Sequence, residues 1–132
     1  MAFPARHNVL LTQTIALHKE EDPTWDLTTP TAGELRAWSI GVVGKGAPLP
    51  AEIPIGAREI VILDRRAALL RITVGADQIT YVVQHAAGIA PARSERTDGD
   101  VLAVAWRRGK FSWVAVGPAA TSASWLPVFA PK

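Results

Sequence analysis

Residues 58–117 constrain the fold most, because they divide into five short runs rich in Val, Ile, Leu, Trp or Tyr, which favour an extended backbone. In the first three runs apolar residues recur at every second position, which places one side of each strand on a buried face. Gly, Asp or a charged pair bounds each run, and the short connections require antiparallel neighbours. The predicted strands are 58–64, 68–74, 78–84, 100–107 and 110–117.

The rest of the chain extends this pattern to an all-β fold. Residues 8–17 alternate loosely and are rich in Thr, and residues 34–43 alternate between two apolar faces, so both segments are predicted to be strands. Residues 44–54 contain three prolines, which remove backbone donors and predict a linker. Residues 85–99 are predicted to be irregular and solvated. The expected fold class is all-β, an antiparallel β-sandwich or a jelly-roll-like barrel with long loops.

The length of 132 residues predicts one domain, because a chain of this size buries about two-thirds of its unfolded surface around a single core. We assign residues 1–117 to one β-domain, with a strand layer at 8–43, the linker at 44–54 and a strand-rich half at 55–117. Residues 118–132 form a C-terminal docking tail, since exposing its large apolar side chains would promote aggregation. These side chains, which pack either on the same chain or on a neighbouring subunit, are Trp125, Leu126, Val128 and Phe129.

Charge and cysteine content exclude several classes of site. The chain has 14 basic and 12 acidic residues, and this small excess does not predict specific nucleic-acid binding. It contains no Cys, so disulfides and thiolate metal sites are excluded. The first residues lack the apolar core of a signal peptide and no run is long enough to span a bilayer, so no membrane insertion is expected.

No combination of residues predicts catalysis. The one cluster of metal-ligating residue types, His18 with Glu20, Glu21 and Asp22, lacks the spacing of a strong calcium loop and is interpreted as a solvated acidic loop. Residues 44–46 lack the spacing of a phosphate loop, and no Ser occupies a nucleophile elbow. We therefore predict no catalytic residue, no cofactor and no metal site.

Tryptophans and a basic turn are the remaining candidate binding features. Trp106 and Trp113 lie on the two arms of the last predicted hairpin, where burial in the core is the favoured interpretation. Exposed rings would instead stack on sugars or bases. The turn between the arms carries cations that could contact phosphate, an acidic glycan or a partner carboxylate, or that simply prevent edge-to-edge pairing. These cations are Arg107, Arg108 and Lys110.

Several segments resemble the small β-domains of bacteriophage virion proteins, namely tail fibres, appendages, head fibres and capsid decoration proteins. The segment 54–62 (PIGAREIVI) is similar to their opening strand, and 70–74 (LRITV) to the short strand that follows. The segment 98–106 (DGDVLAVAW) is similar to a later Gly-Asp strand, and 111–117 (FSWVAVG) to the closing Trp-containing strand. The last turn departs from the pattern, because it contains Arg108-Gly109 where those domains often have Asp-Gly or Asn-Gly.

The resemblance implies a virion structural or accessory protein that is assembled in the host cytoplasm and forms a homotrimer. Its partners would be copies of itself and other virion proteins, with a surface glycan as a further ligand. The leading prediction is a non-enzymatic protein that acts through self-assembly and docking. The alternative is a glycan- or ligand-binding β-module that uses exposed Trp and the basic turn, and the third hypothesis is a small β-barrel enzyme.

Overall fold

The computed structural model describes residues 6–21, 23–86 and 91–131, and this part of the chain contains one seven-stranded sheet and three helices. The elements in chain order are α1 (Arg6–His18), β1 (Leu27–Thr28), α2 (Ala32–Val43), β2 (Gly56–Ile62), β3 (Arg65–Val74), β4 (Asp77–His85), β5 (Arg93–Asp98), β6 (Val101–Arg108), β7 (Phe111–Pro118) and α3 (Ser122–Phe129).

The sheet has the strand order β1-β2-β3-β4-β7-β6-β5, and every neighbouring pair is antiparallel. The predicted antiparallel β class is confirmed, since the five predicted strands correspond to β2, β3, β4, β6 and β7. Among the described residues the strands form one open sheet with β1 and β5 at its edges, so a sandwich or barrel arrangement is not confirmed.

Helices cover both faces of the sheet and divide the core into two apolar layers. On one face α1 packs against side chains that include Ile62, Leu69 and Val114. On the other face α2 and α3 pack against side chains that include Leu70 and Ile72. Leu69 and Leu70 thus point to opposite layers, as the period of two in a strand requires.

The predicted strand at 8–17 is wrong, because α1 occupies this segment. Leu10, Leu11 and Ile15 recur at helical spacing and form the buried stripe of α1. The threonines that suggested a strand donate hydrogen bonds inside the helix, from Thr12 Oγ1 to the Asn8 carbonyl at 2.9 Å and from Thr14 Oγ1 to the Leu10 carbonyl at 2.7 Å. Packing on the sheet therefore outweighs the weak β preference of Thr.

The predicted strand at 34–43 is also wrong, because α2 occupies it. Thr31 and Glu34 form a capping box at its start: the Glu34 backbone N–H donates to Thr31 Oγ1 at 3.1 Å, and the Thr31 N–H donates to Glu34 Oε1 at 2.9 Å. The hydrogen bonds lower the pKa of the Glu34 carboxyl. The region 8–43, predicted as a strand layer, consequently consists of two helices and the short β1.

Two segments were predicted to lack regular secondary structure, and the structure confirms one of these predictions and contradicts the other. Residues 44–54 contain neither helix nor strand, as the prolines predict. Residues 93–98 were predicted to be irregular but form β5, whose side chains are all exposed except that of the half-buried Ser94. Charged residues on an edge strand are a common protection against pairing with another chain, and this explains why an apolar pattern is absent.

The C-terminal tail packs on its own chain through α3. Trp125 and Phe129 are buried in the layer that also contains α2. Trp125 Nε1 donates a hydrogen bond to the Pro118 carbonyl at 2.9 Å, and Trp113 Nε1 donates to the Phe129 carbonyl at 3.1 Å. In the structure, Trp125 and Phe129 therefore pack on their own chain, which is one of the two arrangements that the sequence left open. Within the described ranges, α1, α2 and α3 are all too short or too polar to cross a membrane as a helix.

Candidate functional site

A groove of about 600 Å³ separates α2 from the Pro-rich linker 44–54. Leu35 and Ser39 are buried side chains of α2 that line it, whereas Ile40 is 39% exposed. On the linker side, Ile53 is 57% exposed. The groove is thus a concave surface with apolar side chains open to solvent.

Two large apolar side chains that are exposed to solvent lie at this groove. In the part of the chain that the structure describes, four large hydrophobic side chains are exposed, namely Ile40, Ile53, Ile55 and Val61. Ile40 and Ile53 line the groove, and Ile55 follows directly after Pro54 at its end. Scattered apolar side chains are normal on a protein surface, but a cluster at a concave site is typical of binding surfaces.

The linker is held in place by contacts at several points, although it has no regular secondary structure. The Tyr81 hydroxyl donates a hydrogen bond to the Pro48 carbonyl, and burial raises the pKa of Tyr81. Ala47 and Leu49 pack against the core layer beneath α2. At the other end, the Ile55 N–H donates to the Arg71 carbonyl at 2.8 Å. The groove is therefore formed before any ligand binds.

Two cations and one carboxylate line the groove, namely Arg36, Lys45 and Glu52. None of the four ion pairs found among the described residues involves the side chain of Arg36 or Lys45. The groove therefore combines an apolar surface with unpaired positive charge.

A second candidate site lies on the opposite face of the sheet, around Arg71 of β3. Arg71 as a whole residue is only 7% exposed. Its Nε donates to Thr80 Oγ1 at 3.1 Å, and its Nη1 donates weakly to Gln78 Oε1 at 3.4 Å. The guanidinium carbon lies 5.9 Å from the centre of the Trp25 ring, which is within range of a cation–π interaction.

The fully buried Thr80 hydroxyl connects Arg71 to His18 at the end of α1. Its oxygen lies 2.7 Å from His18 Nδ1. This oxygen accepts from Arg71 Nε, and its proton can be donated to His18 Nδ1 when the ring is neutral and that nitrogen carries no proton. Burial, together with the charges of Arg71 and Lys19, lowers the pKa of His18 to about 4.

A shallow cavity of about 430 Å³ opens beside this polar cluster. Arg58 donates from both terminal nitrogens to Glu20 at 3.2 Å, which lowers the pKa of the Glu20 carboxyl. The cavity is lined by Glu20, Glu21, Pro23, Trp25, Ile55, Arg71 and Gln78.

The acidic loop after α1 only partly matches the sequence interpretation. Glu20 and Glu21 are exposed as predicted, but His18 faces Thr80 rather than the carboxylates. Asp22 lies outside the described residues. Within the described ranges, no group of three or more His, Asp or Glu side chains converges in a way that could hold a metal ion.

The pKa of His18 predicts that acid destabilises the fold. Its folded-state pKa of about 4 lies below the ordinary value of 6.5, so between these values the unfolded chain binds more protons than the folded one. The contribution of the neutral ring is complete above pH 6.5 and is lost as the pH falls towards 4. His18→Gln should therefore flatten the dependence of the free energy of unfolding on pH, measured by urea denaturation at about pH 4.5 and about pH 7.5.

The control variant for this pH experiment is His85→Gln, which removes an exposed histidine and leaves the cluster intact. This control variant should lose as much free energy of unfolding between about pH 7.5 and about pH 4.5 as the wild type does, because His18 is still present. An identical pH dependence in the wild type and in His18→Gln would contradict the assignment of a buried neutral ring.

The predicted interaction residues occupy different environments. Arg108 lies beside Val128 and Phe129 at a cavity of about 320 Å³, whereas Arg107 and Lys110 do not line it. Trp125 and Phe129 are buried, Leu126, Val128 and Arg107 are half-buried, and Arg108 and Lys110 are exposed. Their role in binding stays a prediction.

Trp106 and Trp113 are buried, as the favoured interpretation of the sequence predicted. Their exposed fractions are 5% and 4%. The two rings stack on each other with centroids 6.2 Å apart. Neither ring therefore offers an open face to a sugar, and a glycan site would need other side chains.

Sequence reasoning missed both candidate sites. The Arg71 cluster left a signal, because Ala67, Leu69 and Arg71 alternate on one face of β3, which places the arginine next to buried apolar side chains. The docking groove left no such signal in the sequence, because it forms between two segments that were predicted separately to be a strand and a linker.

Comparisons of the chain with protein-family models, with curated proteins and with solved structures found no match. The resemblance to bacteriophage β-domains thus has no support from these comparisons. The virion role and the homotrimer stay predictions from the sequence.

Proposed function

We propose that this domain binds a segment of another polypeptide in the groove between α2 and the linker 44–54, and acts by docking rather than by catalysis. The observation that carries the proposal is that Ile40 and Ile53 are exposed at one preformed concave surface. Burying one large aliphatic side chain is worth about 1.5–3 kcal/mol, so covering this surface is a substantial driving force for association.

The chemistry of the groove selects an apolar segment that also carries carboxylates. Arg36 and Lys45 line the groove without an ion-pair partner among the described residues, and Glu52 is the one carboxylate in its lining. Charge complementarity across an interface favours the correct partner and speeds association. Because the linker is already anchored by Tyr81 and Arg71, little ordering of the groove opposes binding.

A structural or accessory role in a virion, as the sequence resemblance suggests, is one setting in which such docking would operate. The bound segment would then belong to another virion protein. The docking proposal does not depend on this setting. The side chains of the groove determine which peptide segment binds, and not the particle to which that segment belongs.

A displayed library of random peptides, panned against the full chain, tests the proposal. We expect the enriched peptides to share apolar residues flanked by Asp or Glu. Ile53→Asp should weaken the binding of a selected peptide at least about tenfold, measured by fluorescence anisotropy, because it adds a carboxylate to the apolar surface. Arg36→Glu should weaken the binding of acidic peptides through like-charge repulsion.

The matched control is Val61→Asp, the same change at an exposed apolar residue outside the groove lining. It should leave the affinity unchanged. Absence of enrichment, or equal loss in Ile53→Asp and Val61→Asp, would overturn the proposal. Light scattering tests whether a second copy of this chain occupies the groove instead. If the wild type self-associates and Ile53→Asp abolishes this self-association, the groove binds a second copy and the proposal is overturned.

A further inference from the structure

We infer that the Arg71 cavity binds the carboxylate of a ligand whose neighbouring group is apolar. This site lies on the face of the sheet that packs against α1, whereas the docking groove lies on the face that packs against α2. The two sites share no lining residue. The inference therefore stands independently of the proposed docking function.

Arg71 is 7% exposed, yet none of the ion pairs of the described residues includes it. Arginine is almost never buried unless it is paired, because removing its charge from water is costly. The charge of Glu20 acts on Arg71, but the hydrogen bonds of that carboxylate come from both terminal nitrogens of Arg58. A carboxylate ligand would supply a direct partner for the Arg71 charge.

The Arg71 guanidinium is held in position while its terminal nitrogens keep free donors. The hydrogen bond from Nε to Thr80 and the cation–π contact with Trp25 restrict its position. Nη1 has only the long contact of 3.4 Å to Gln78, and among the described residues Nη2 has no acceptor. Two terminal nitrogens of a fixed guanidinium match the two oxygens of a carboxylate, which is the bidentate geometry that arginine favours.

The wall of the Arg71 cavity is partly apolar. The cavity has a volume of about 430 Å³, which is large enough for a small ligand. Pro23, Trp25 and Ile55 supply apolar surface beside the guanidinium, and Ile55 is 39% exposed. Covering this surface favours an apolar group next to the carboxylate.

The glutamates of the cavity restrict the charge of the ligand. Glu20 and Glu21 line the cavity and are exposed. Their charges oppose a phosphate or a dicarboxylate more strongly than a single carboxylate, so repulsion adds selectivity to the attraction of Arg71. The carboxylate could come from the C-terminus of a peptide or from a free carboxylic acid, since the chemistry next to Arg71 is the same.

An NMR titration of the full ¹⁵N-labelled chain tests this inference. The ligands are sodium butyrate, N-acetylleucine, N-acetylleucinamide and inorganic phosphate. The resonances that are followed are those of the Trp25 indole and of Arg71 Nε. Each titration is made at constant ionic strength. We expect N-acetylleucine and butyrate to shift both resonances to saturation, and N-acetylleucinamide, which lacks the carboxylate, to leave them unchanged. Binding of N-acetylleucine at least about tenfold tighter than butyrate would identify a peptide C-terminus as the source, and equal binding would identify a free acid.

Gln78→Glu is the decisive variant, because it places a carboxylate of the chain itself next to Arg71 Nη1. We expect this variant to bind N-acetylleucine at least about tenfold more weakly and to melt at a higher temperature than the wild type. Gln78 is exposed, so the substitution does not disturb the core. Arg93→Gln, which removes an exposed cation from the opposite face of the sheet and outside both sites, is the control and should bind as the wild type does.

Three results would overturn the inference. The first is equal binding of N-acetylleucine and N-acetylleucinamide, which would assign the affinity to the apolar group. The second is tighter binding of phosphate than of either carboxylate. The third is a Gln78→Glu variant with unchanged affinity, or an Arg93→Gln variant with an equal loss, because either would place the bound carboxylate away from Arg71.

Discussion

Trp125→Ala is expected to lower the free energy of unfolding by about 3–5 kcal/mol. The indole has an exposed fraction of 0% and lies between the sheet and Phe129, with the two ring centroids 6.4 Å apart. Its Nε1 also donates to the Pro118 carbonyl at 2.9 Å. Truncation therefore removes buried apolar area, opens a cavity under α3 and leaves the carbonyl without this donor.

Urea denaturation followed by far-UV circular dichroism measures this loss without depending on tryptophan fluorescence. Leu126→Ala is the matched control, because it changes the next residue of the same helix at a half-buried position. It should cost about 1 kcal/mol, in proportion to its smaller buried area. A loss below about 1 kcal/mol for Trp125→Ala would contradict the packing of the C-terminal helix on its own sheet.

Gly117→Ala should destabilise the fold by about 1–3 kcal/mol, although it adds only one methyl group. A Cβ at this position would lie 2.8 Å from Trp125 Cε2 and would collide with Ile79 Cδ1. Trp125 and Ile79 are both fully buried, so neither can move without disturbing the layer around it. The glycine in β7 is thus required by the close approach of α3.

Gly56→Ala provides the comparison, because it is the same change at the start of another strand. Its added methyl group would collide with the ring of Trp25, which is half-buried, so that fewer core side chains would have to move with it. We expect a smaller loss than for Gly117→Ala, measured by the same denaturation series. An equal or larger loss at Gly56 would show that Trp25 is fixed as rigidly as the core.

The strands could be read from the sequence because their signal is local. In β3 and β4 the apolar residues alternate, and the hairpin connecting them has only two residues, so the register follows from the turn. The same reasoning failed at α1, where Leu10 and Leu11 lie on one buried stripe but Thr12 and Thr14 resemble strand residues. A short amphipathic segment of this kind is decided by the surface on which it packs.

The second helix was predictable in principle but was missed. Thr31 and Glu34 have the spacing of a capping box, which is a local signal for a helix start. The apparent alternation of Trp38, Ile40 and Val42 favoured a strand instead. In the structure Val42 is buried and Ile40 is exposed, which is the pattern of a helix with one face on the sheet.

The sequence by itself determined the antiparallel sheet, because alternation and short turns act between neighbouring residues and need no distant partner. Only the tertiary structure decided that helices cover both faces, that α3 packs on its own chain, and that Arg71 is buried without an ion pair to another described residue. Each of these features depends on which surfaces meet after the chain has folded. The same reason explains the docking groove, whose walls, α2 and the linker, acquire their shape only through contacts with the sheet beneath them.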